Sequence, residues 1–225
     1  MPDAQWHCYA DRTHCSQQLA GVLTQQLQQA LSSGMPARLL LPGGQTPGLL
    51  LAELACQPLD WAQVQLSPTD ERWVTAEDPA SNLHLLQHAL PEAQLLDPRQ
   101  GRTPEEAAQC WCVHLRAWLP LQGALLGMGE DGHIASLFPA MPALAEALDP
   151  QAMPGALPGV APSEPRQRLS VNLSLLLNSQ WLGLLVFGEA KRRLLEAVQR
   201  GEAASLPVAA LMSAAAGRLQ IYWAP

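Results

Sequence analysis

Long hydrophobic runs are missing from this sequence. The longest apolar stretch beside a candidate strand, LGLLVFG, falls far short of the roughly 20 residues that a membrane helix needs, so nothing in the chain reads as bilayer-spanning. The opening MPDAQWHCYADR is too polar for a secretory leader, which points to the cytoplasm. Cations are few: thirteen Lys and Arg stand against twenty Asp and Glu, a formal charge of -7. They are scattered apart from Lys191, Arg192 and Arg193, so there is no basic stripe and nucleic acid is not an expected partner. The five cysteines form no C-x-x-C pair, as suits a reduced protein without a disulfide framework. His7-Cys8 and His14-Cys15 repeat a dipeptide, but at a spacing that matches no common zinc site, and no metal is expected.

What remains is an apolar chain, 48% hydrophobic over 225 residues, enough for a sizeable core in one α/β domain spanning residues 1–225. Short apolar runs alternate with amphipathic segments, the pattern of strands interleaved with helices. QWHCYA reads as a strand, SQQLAGVLTQQLQQALSSG as a helix closed by Gly34, and ARLLLPGG as a buried parallel strand entering a glycine turn. TPGLLLAELACQ predicts a helix with Thr46 as N-cap and Pro47 at its first position. VQLSPTDERWV reads as a short strand leading into a charged loop, and SNLHLLQHAL as a helix capped by Ser81 or Asn82. TPEEAAQCWCVHLRAWL adds a capping box, Thr103 with Glu106.

GALLGMG is the expected central strand. Residues 138–167 hold seven prolines, too many for regular structure throughout, and read as a long surface loop with one helical turn at ALAEAL. RLSVNLSLLLNS and WLGLLVFG read as strands, EAKRRLLEAVQRG and LPVAALMSAAAG as helices, and RLQIYWA as a last strand. The expected architecture is a single doubly wound, mostly parallel sheet with helices on both faces. Ligands in such sheets bind beyond the carboxyl ends of the strands, which directs attention to PGGQTP (42–47), SPTDERWV (67–74) and GMGEDGH (127–133).

Gly127, Gly129 and Gly132 spell G-x-G-x-x-G, yet the dinucleotide reading fits poorly. Glu130 and Asp131 would repel a pyrophosphate, and the ribose-binding acid expected about 20 residues on falls near Glu146 and Asp149 in the proline-rich segment. PGGQTP can aim backbone N-H groups at an anion, or be only a tight turn. Asp70, Glu71 and Arg72 offer a phosphate clamp, or a solvated charge cluster. A histidine ordinarily titrates at about 6.5, in the range of a general base at neutral pH. His133, with Asp131 two residues before it at a strand end, is therefore a candidate catalytic pair.

GMGEDGHIASLFP, PGGQTP, TDERWV and SNLHLL, in this order, resemble the motif set of the 6-phosphogluconolactonase family, within the fold group of glucosamine-6-phosphate deaminases and ribose-5-phosphate isomerases. DGHIASLFP is the most specific piece. The resemblance covers nearly the whole chain, since RLSVNLSLLLNS, GEAKRRLLEAV and LPVAALM also match later segments. It implies hydrolysis of 6-phospho-D-glucono-1,5-lactone without metal or cofactor, with His133 as base to water and Asp131 orienting it. It also implies sugar-phosphate contacts from Gly43, Gly44, Thr46, Asp70, Arg72, Asn82, Arg168 and Lys191. Gln45 stands where the family usually has serine, so any hydroxyl contact there is either taken over by its amide or lost. Two rivals keep the same fold: an amino-sugar-phosphate deaminase or isomerase using Asp70 as base, and a non-catalytic sugar-phosphate sensor. The expected partner is a phosphorylated sugar lactone, and the expected state a monomer or weak homo-oligomer.

Overall fold

In a computed structural model that describes residues 4–225, the chain opens with β1 (Gln5–Cys8), α1 (Arg12–Ser32), β2 (Ala37–Leu41) and α2 (Gly48–Ala55). A 3-10 turn at Trp61–Gln63 leads into β3 (Val64–Pro68), β4 (Asp70–Arg72), α3 (Asn82–Ala89), β5 (Gln94–Leu95), α4 (Pro104–Ala117) and β6 (Leu121–Leu126). The second half holds α5 (Leu144–Ala147), β7 (Ala156–Val160), β8 (Gln167–Val171), α6 (Leu173–Leu177), β9 (Ser179–Phe187), α7 (Glu189–Gln199), α8 (Pro207–Ala214) and β10 (Leu219–Ala224).

Seven strands make a parallel sheet in the order β1-β10-β9-β6-β2-β3-β5. Its central strands are largely apolar on both sides because both faces are covered. Within β2, Leu39 and Leu41 point into one core, with Leu19 and Leu23 of α1, Leu50 of α2 and Leu86 of α3. Leu40 between them joins the opposite core, with Trp111 of α4, Leu195 of α7 and Leu211 of α8. β6 repeats the alternation, Leu125 to the first face and Ala124 and Leu126 to the second. This period of two sorts the helices onto opposite faces, as the sequence predicts.

Chain order reverses between β2 and β6, which are neighbours: β2 leads outward to β3 and β5, whereas β6 leads the other way to β9 and β10. Such a reversal leaves a crevice beyond the strand ends. The loops after β2 and β6 flank it.

Four expectations need correction. Residues 168–179 are not one strand: β8 stops at Val171, and Asn172 caps α6, its side chain accepting from the Leu175 N-H at 3.0 Å. The short all-apolar LSLLL is compatible with either element by period alone. The proline-rich stretch 138–167 carries α5 at the expected helical turn but also β7, an edge strand, where proline is tolerated at Pro158. β7, β8 and β4 form a separate antiparallel sheet of three strands, so DERWV begins as a strand rather than a charged loop. Finally, α1 starts at Arg12, four residues before SQQLAG, because Asp11 accepts the His14 N-H at 2.7 Å.

The caps elsewhere follow the residue chemistry. Ser81, not Asn82, caps α3 by accepting from His84 N-H. Thr103 caps α4, while Glu106 reaches back one residue further than a capping box requires, accepting the Arg102 N-H at 3.1 Å.

Candidate active site

The crevice at the chain reversal is a cavity of about 190 Å³ whose wall includes Gly43, Gly44, Gln45, Thr46, Asp70, Arg72, Asn82, Gly129, His133 and Ala135. Seven of the ten residues singled out in the sequence are in that wall. Asp131 stands directly behind His133. Arg168 and Lys191 lie outside the wall, on β8 and α7.

The loop after β6 is folded around its histidine. Gly129 N-H donates to His133 O at 3.0 Å, and Gly132, at φ +77°, N-H donates to Gly129 O at 3.1 Å. A Cβ on Gly129 would lie 2.2 Å from His133 Cε1 and 2.6 Å from Asp131 Oδ1. Only glycine lets the imidazole and carboxylate pack down there, so that residue is fixed by close approach and not by a phosphate. His133 Nδ1 is 2.5 Å from Asp131 Oδ1, and the same oxygen accepts the His133 N-H at 3.2 Å. The Phe138 ring centroid lies 4.4 Å from that of the imidazole and fixes its other side. A carboxylate on Nδ1 makes that nitrogen the proton carrier and leaves Nε2 as an acceptor. The histidine side chain is 28% exposed, so water reaches it.

The loop after β2 presents backbone. Gly44 takes φ +85°, and among the described residues the N-H groups of Gly43, Gly44, Gln45 and Thr46 donate to no protein acceptor. Unpaired N-H groups beside a helix start attract anions. Thr46 is not the N-cap: α2 begins at Gly48, no side chain caps it, and the Gly48 N-H closes a turn on Gln45 O at 3.3 Å. Thr46 is thereby left in the cavity wall. Asn82 Nδ2 donates to Asp70 O at 2.7 Å, and a Cβ on Gly43 would overlap Asn82 Oδ1 at 1.8 Å. Asn82 therefore seats the glycine turn against β4.

β4 and β8 carry the charges. Arg72 and Arg168 are cross-strand partners. Arg72 Nη1 donates to Ala80 O. Arg168 is buried, with Nε and Nη1 lacking any hydrogen-bond partner. Burial first, and Arg72 second, lower its pKa, while Asp70 and Glu71 oppose them. An unpartnered buried guanidinium calls for an anion. Lys191, the only lysine in the chain, is half-buried; burial lowers its pKa and Glu130 opposes that.

Two functional supports went unread in the sequence. Glu71 is buried and gathers four donors: the N-H groups of Arg72, Asn82 and Leu83 at 2.7, 2.8 and 2.7 Å, and Ser81 Oγ at 3.1 Å. Burial pushes its carboxyl above the usual range while those N-H groups and Arg99 pull it back. Glu71 thus ties β4 to α3 between two residues of the cavity wall. Ser136 is the other; its position in Ser-Leu-Phe-Pro gave no hint of a partner 66 residues away.

Among the described residues, no three His, Cys, Asp or Glu side chains are grouped to hold a metal ion. Of the His-Cys dipeptides, Cys15 is buried in α1, its thiol pushed up to about 12 by burial, and Cys8 is exposed. No helix among the described residues is long and apolar enough to cross a membrane.

Residues 10–223 match the family model described as glucosamine-6-phosphate isomerases/6-phosphogluconolactonase. A 6-phosphogluconolactonase of Pseudomonas putida is 37% identical over 97% of this chain and 92% of its own. One from Rhizobium meliloti is 34% identical over 99% of each chain. The crystal structure of a 6-phosphogluconolactonase from Shewanella baltica superposes with a TM-score of 0.89 at 27% identity, over 99% of this chain and 98% of that one.

Proposed function

Because the chain belongs to the family of glucosamine-6-phosphate isomerases and 6-phosphogluconolactonases, we propose that it hydrolyses 6-phospho-D-glucono-1,5-lactone to 6-phospho-D-gluconate, in the cytoplasm and within the oxidative pentose phosphate route. It is a hydrolase of a lactone ester. Residues 1–225 act as one such domain, as a monomer or weak homo-oligomer, without metal or cofactor. The observation that carries the reading is the Asp131–His133 pair, 2.5 Å apart at Nδ1, at the mouth of a cavity lined by unpaired N-H groups and Arg72.

His133 Nε2 takes a proton from water as the water oxygen attacks the lactone carbonyl C1. Asp131 holds the ring in the tautomer that leaves Nε2 free and stabilises the imidazolium that forms. The C=O electrons move onto oxygen, and N-H groups of Gly43 and Gly44 receive that oxyanion, together with Thr46. Collapse breaks the bond from C1 to the ring oxygen, which collects the proton from His133. The products are a carboxylic acid and a free hydroxyl, so the atoms balance with water alone. A lactone carbonyl is already electrophilic, and positioning plus a base suffices.

Arg72, backed by Arg168 and joined by Lys191, holds the phosphate. Ground and transition states share that contact, so it governs affinity. Asp70 accepts from a sugar hydroxyl, and Asn82 keeps Gly43 in position.

The test is lactone generated in situ, with acid release followed against the spontaneous rate, and glucosamine 6-phosphate supplied in parallel. The proposal expects acceleration of lactone opening and no ammonia from the amino sugar. Ammonia release with unaccelerated lactone opening would transfer the assignment to a deaminase that uses Asp70 as base.

A further inference from the structure

Asp70 lines the cavity, and something must fix which of its oxygens the substrate meets. Its Oδ2 accepts from Ser136 Oγ at 2.6 Å, the length of a charge-assisted O-H···O bond. Its Oδ1 has only a 3.4 Å contact, from the Thr69 hydroxyl. Ser136 is itself held on both sides. Its backbone N-H donates to Ser170 Oγ at 3.1 Å, and Ser170 is the cross-strand partner of Asp70. A Cβ on Gly159 of β7 would stand 3.2 Å from Ser136 O, so the edge strand closes against the serine from behind. Only 1% of Ser136 is exposed, hence its hydroxyl has no water to turn to.

The same serine ends the loop that carries His133. Between them the chain makes a tight turn, Leu137 N-H donating to Ile134 O at 2.9 Å, with Ala135 in the left-handed region at φ +47°. A non-glycine residue there is held against its preference, as happens where the surroundings over-determine the backbone. Ser136 is the point at which the histidine loop of the parallel sheet is fastened to the antiparallel sheet.

We infer that Ser136 is a positioning residue for the reaction: it occupies Asp70 Oδ2 and so presents Oδ1 to a substrate hydroxyl, at a fixed distance from His133. The inference rests on the hydrolase reading above. Ser136 never touches substrate; it acts through Asp70.

A double-mutant cycle on the full chain tests it, with lactone generated in situ. Ser136→Ala raises KM by roughly tenfold to a hundredfold, the worth of one hydrogen bond to a charged group, with kcat within about threefold of wild type. In an Asp70→Ala background the same change adds less than about twofold, because the effect has lost its mediator. Ser136→Cys keeps the side-chain shape at a slightly larger volume but donates poorly; it gives the same KM rise and carries the test if the alanine variant does not fold. A fall in kcat at unchanged KM, or a full Ser136 effect without Asp70, overturns the inference. Wild-type protein that does not hydrolyse the lactone at all sinks the underlying reading instead, which separates the two failures.

Discussion

The seven-stranded sheet and the three-stranded sheet handle polar groups in opposite ways. Apart from Gln122, whose amide oxygen accepts the Arg38 N-H at 3.0 Å, β6 and most of β2 are buried leucines and small residues, and the site takes its large-sheet residues from where the chain leaves the strands, at Gly43–Thr46 and Gly129–His133. β4 and β8 instead carry their polar groups within the strands: Asp70, Glu71 and Arg72 face Ser170, Leu169 and Arg168 in register. A parallel sheet covered on both faces cannot hold such residues. A small antiparallel sheet set against its carboxyl edge can, since Glu71 is met by N-H groups and the Ser81 hydroxyl, Asp70 by the Ser136 hydroxyl, and the unpartnered Arg168 is left for an anion. On the proposed mechanism, the division assigns bond-making to the large sheet's loops and substrate holding to the small sheet. Changes in the first then alter kcat, and changes in the second alter KM or the stability of the small sheet.

The division can be broken at several points. His133→Ala removes the proposed base and is expected to lower kcat by roughly a hundredfold to ten-thousandfold, with KM little changed, in steady-state assays. Glu71→Ala strips a common acceptor from four donors and is expected to destabilise the protein by about 3 kcal/mol, read as a lower Tm. Glu71→Gln keeps an acceptor oxygen and loses less. Arg72→Ala is expected to raise KM by roughly tenfold or more while kcat holds, because in the proposed mechanism the phosphate is bound in ground and transition states alike.

The smallest effect concerns pH. Burial lowers the Lys191 pKa below that of an ordinary lysine, so its charge is lost at a lower pH than an ordinary lysine's, as pH rises through that lowered value. Affinity for the stable product 6-phosphogluconate should weaken as pH rises through it, by calorimetric titration, and weaken less in Lys191→Met. A product affinity with the same pH profile in both proteins would remove Lys191 from phosphate binding.

The large sheet, apart from the two-residue edge strand β5, was legible because its strands are apolar runs closed by glycine turns and its helices begin at residues suited to caps. The small sheet was not. β7 contains Pro158 and Gly159 within a proline-rich stretch, and an edge strand stabilised by tertiary contacts has no period of its own. β8 ran on into LSLLL, where four consecutive buried residues, Leu173 to Leu176, hide the change from strand to helix. Thr46 obeyed the composition of a cap and served the cavity instead. For the site, glycine and charge at strand ends identified the loops, since loop position follows from the alternation of elements. The contact from Ser136 to Asp70 spans 66 residues and arises only once two sheets meet. Glu71 looked like one more surface acid in D-E-R, because strand alternation inside a three-residue element is too short to read.

The most direct test is one kinetic series on lactone generated in situ: wild type, His133→Ala and Arg72→Ala under identical conditions, each corrected for spontaneous opening. The account predicts strong acceleration by wild type, a loss confined to kcat in the first variant and a rise confined to KM in the second. Near-normal turnover without His133, or wild type no faster than water, would contradict it.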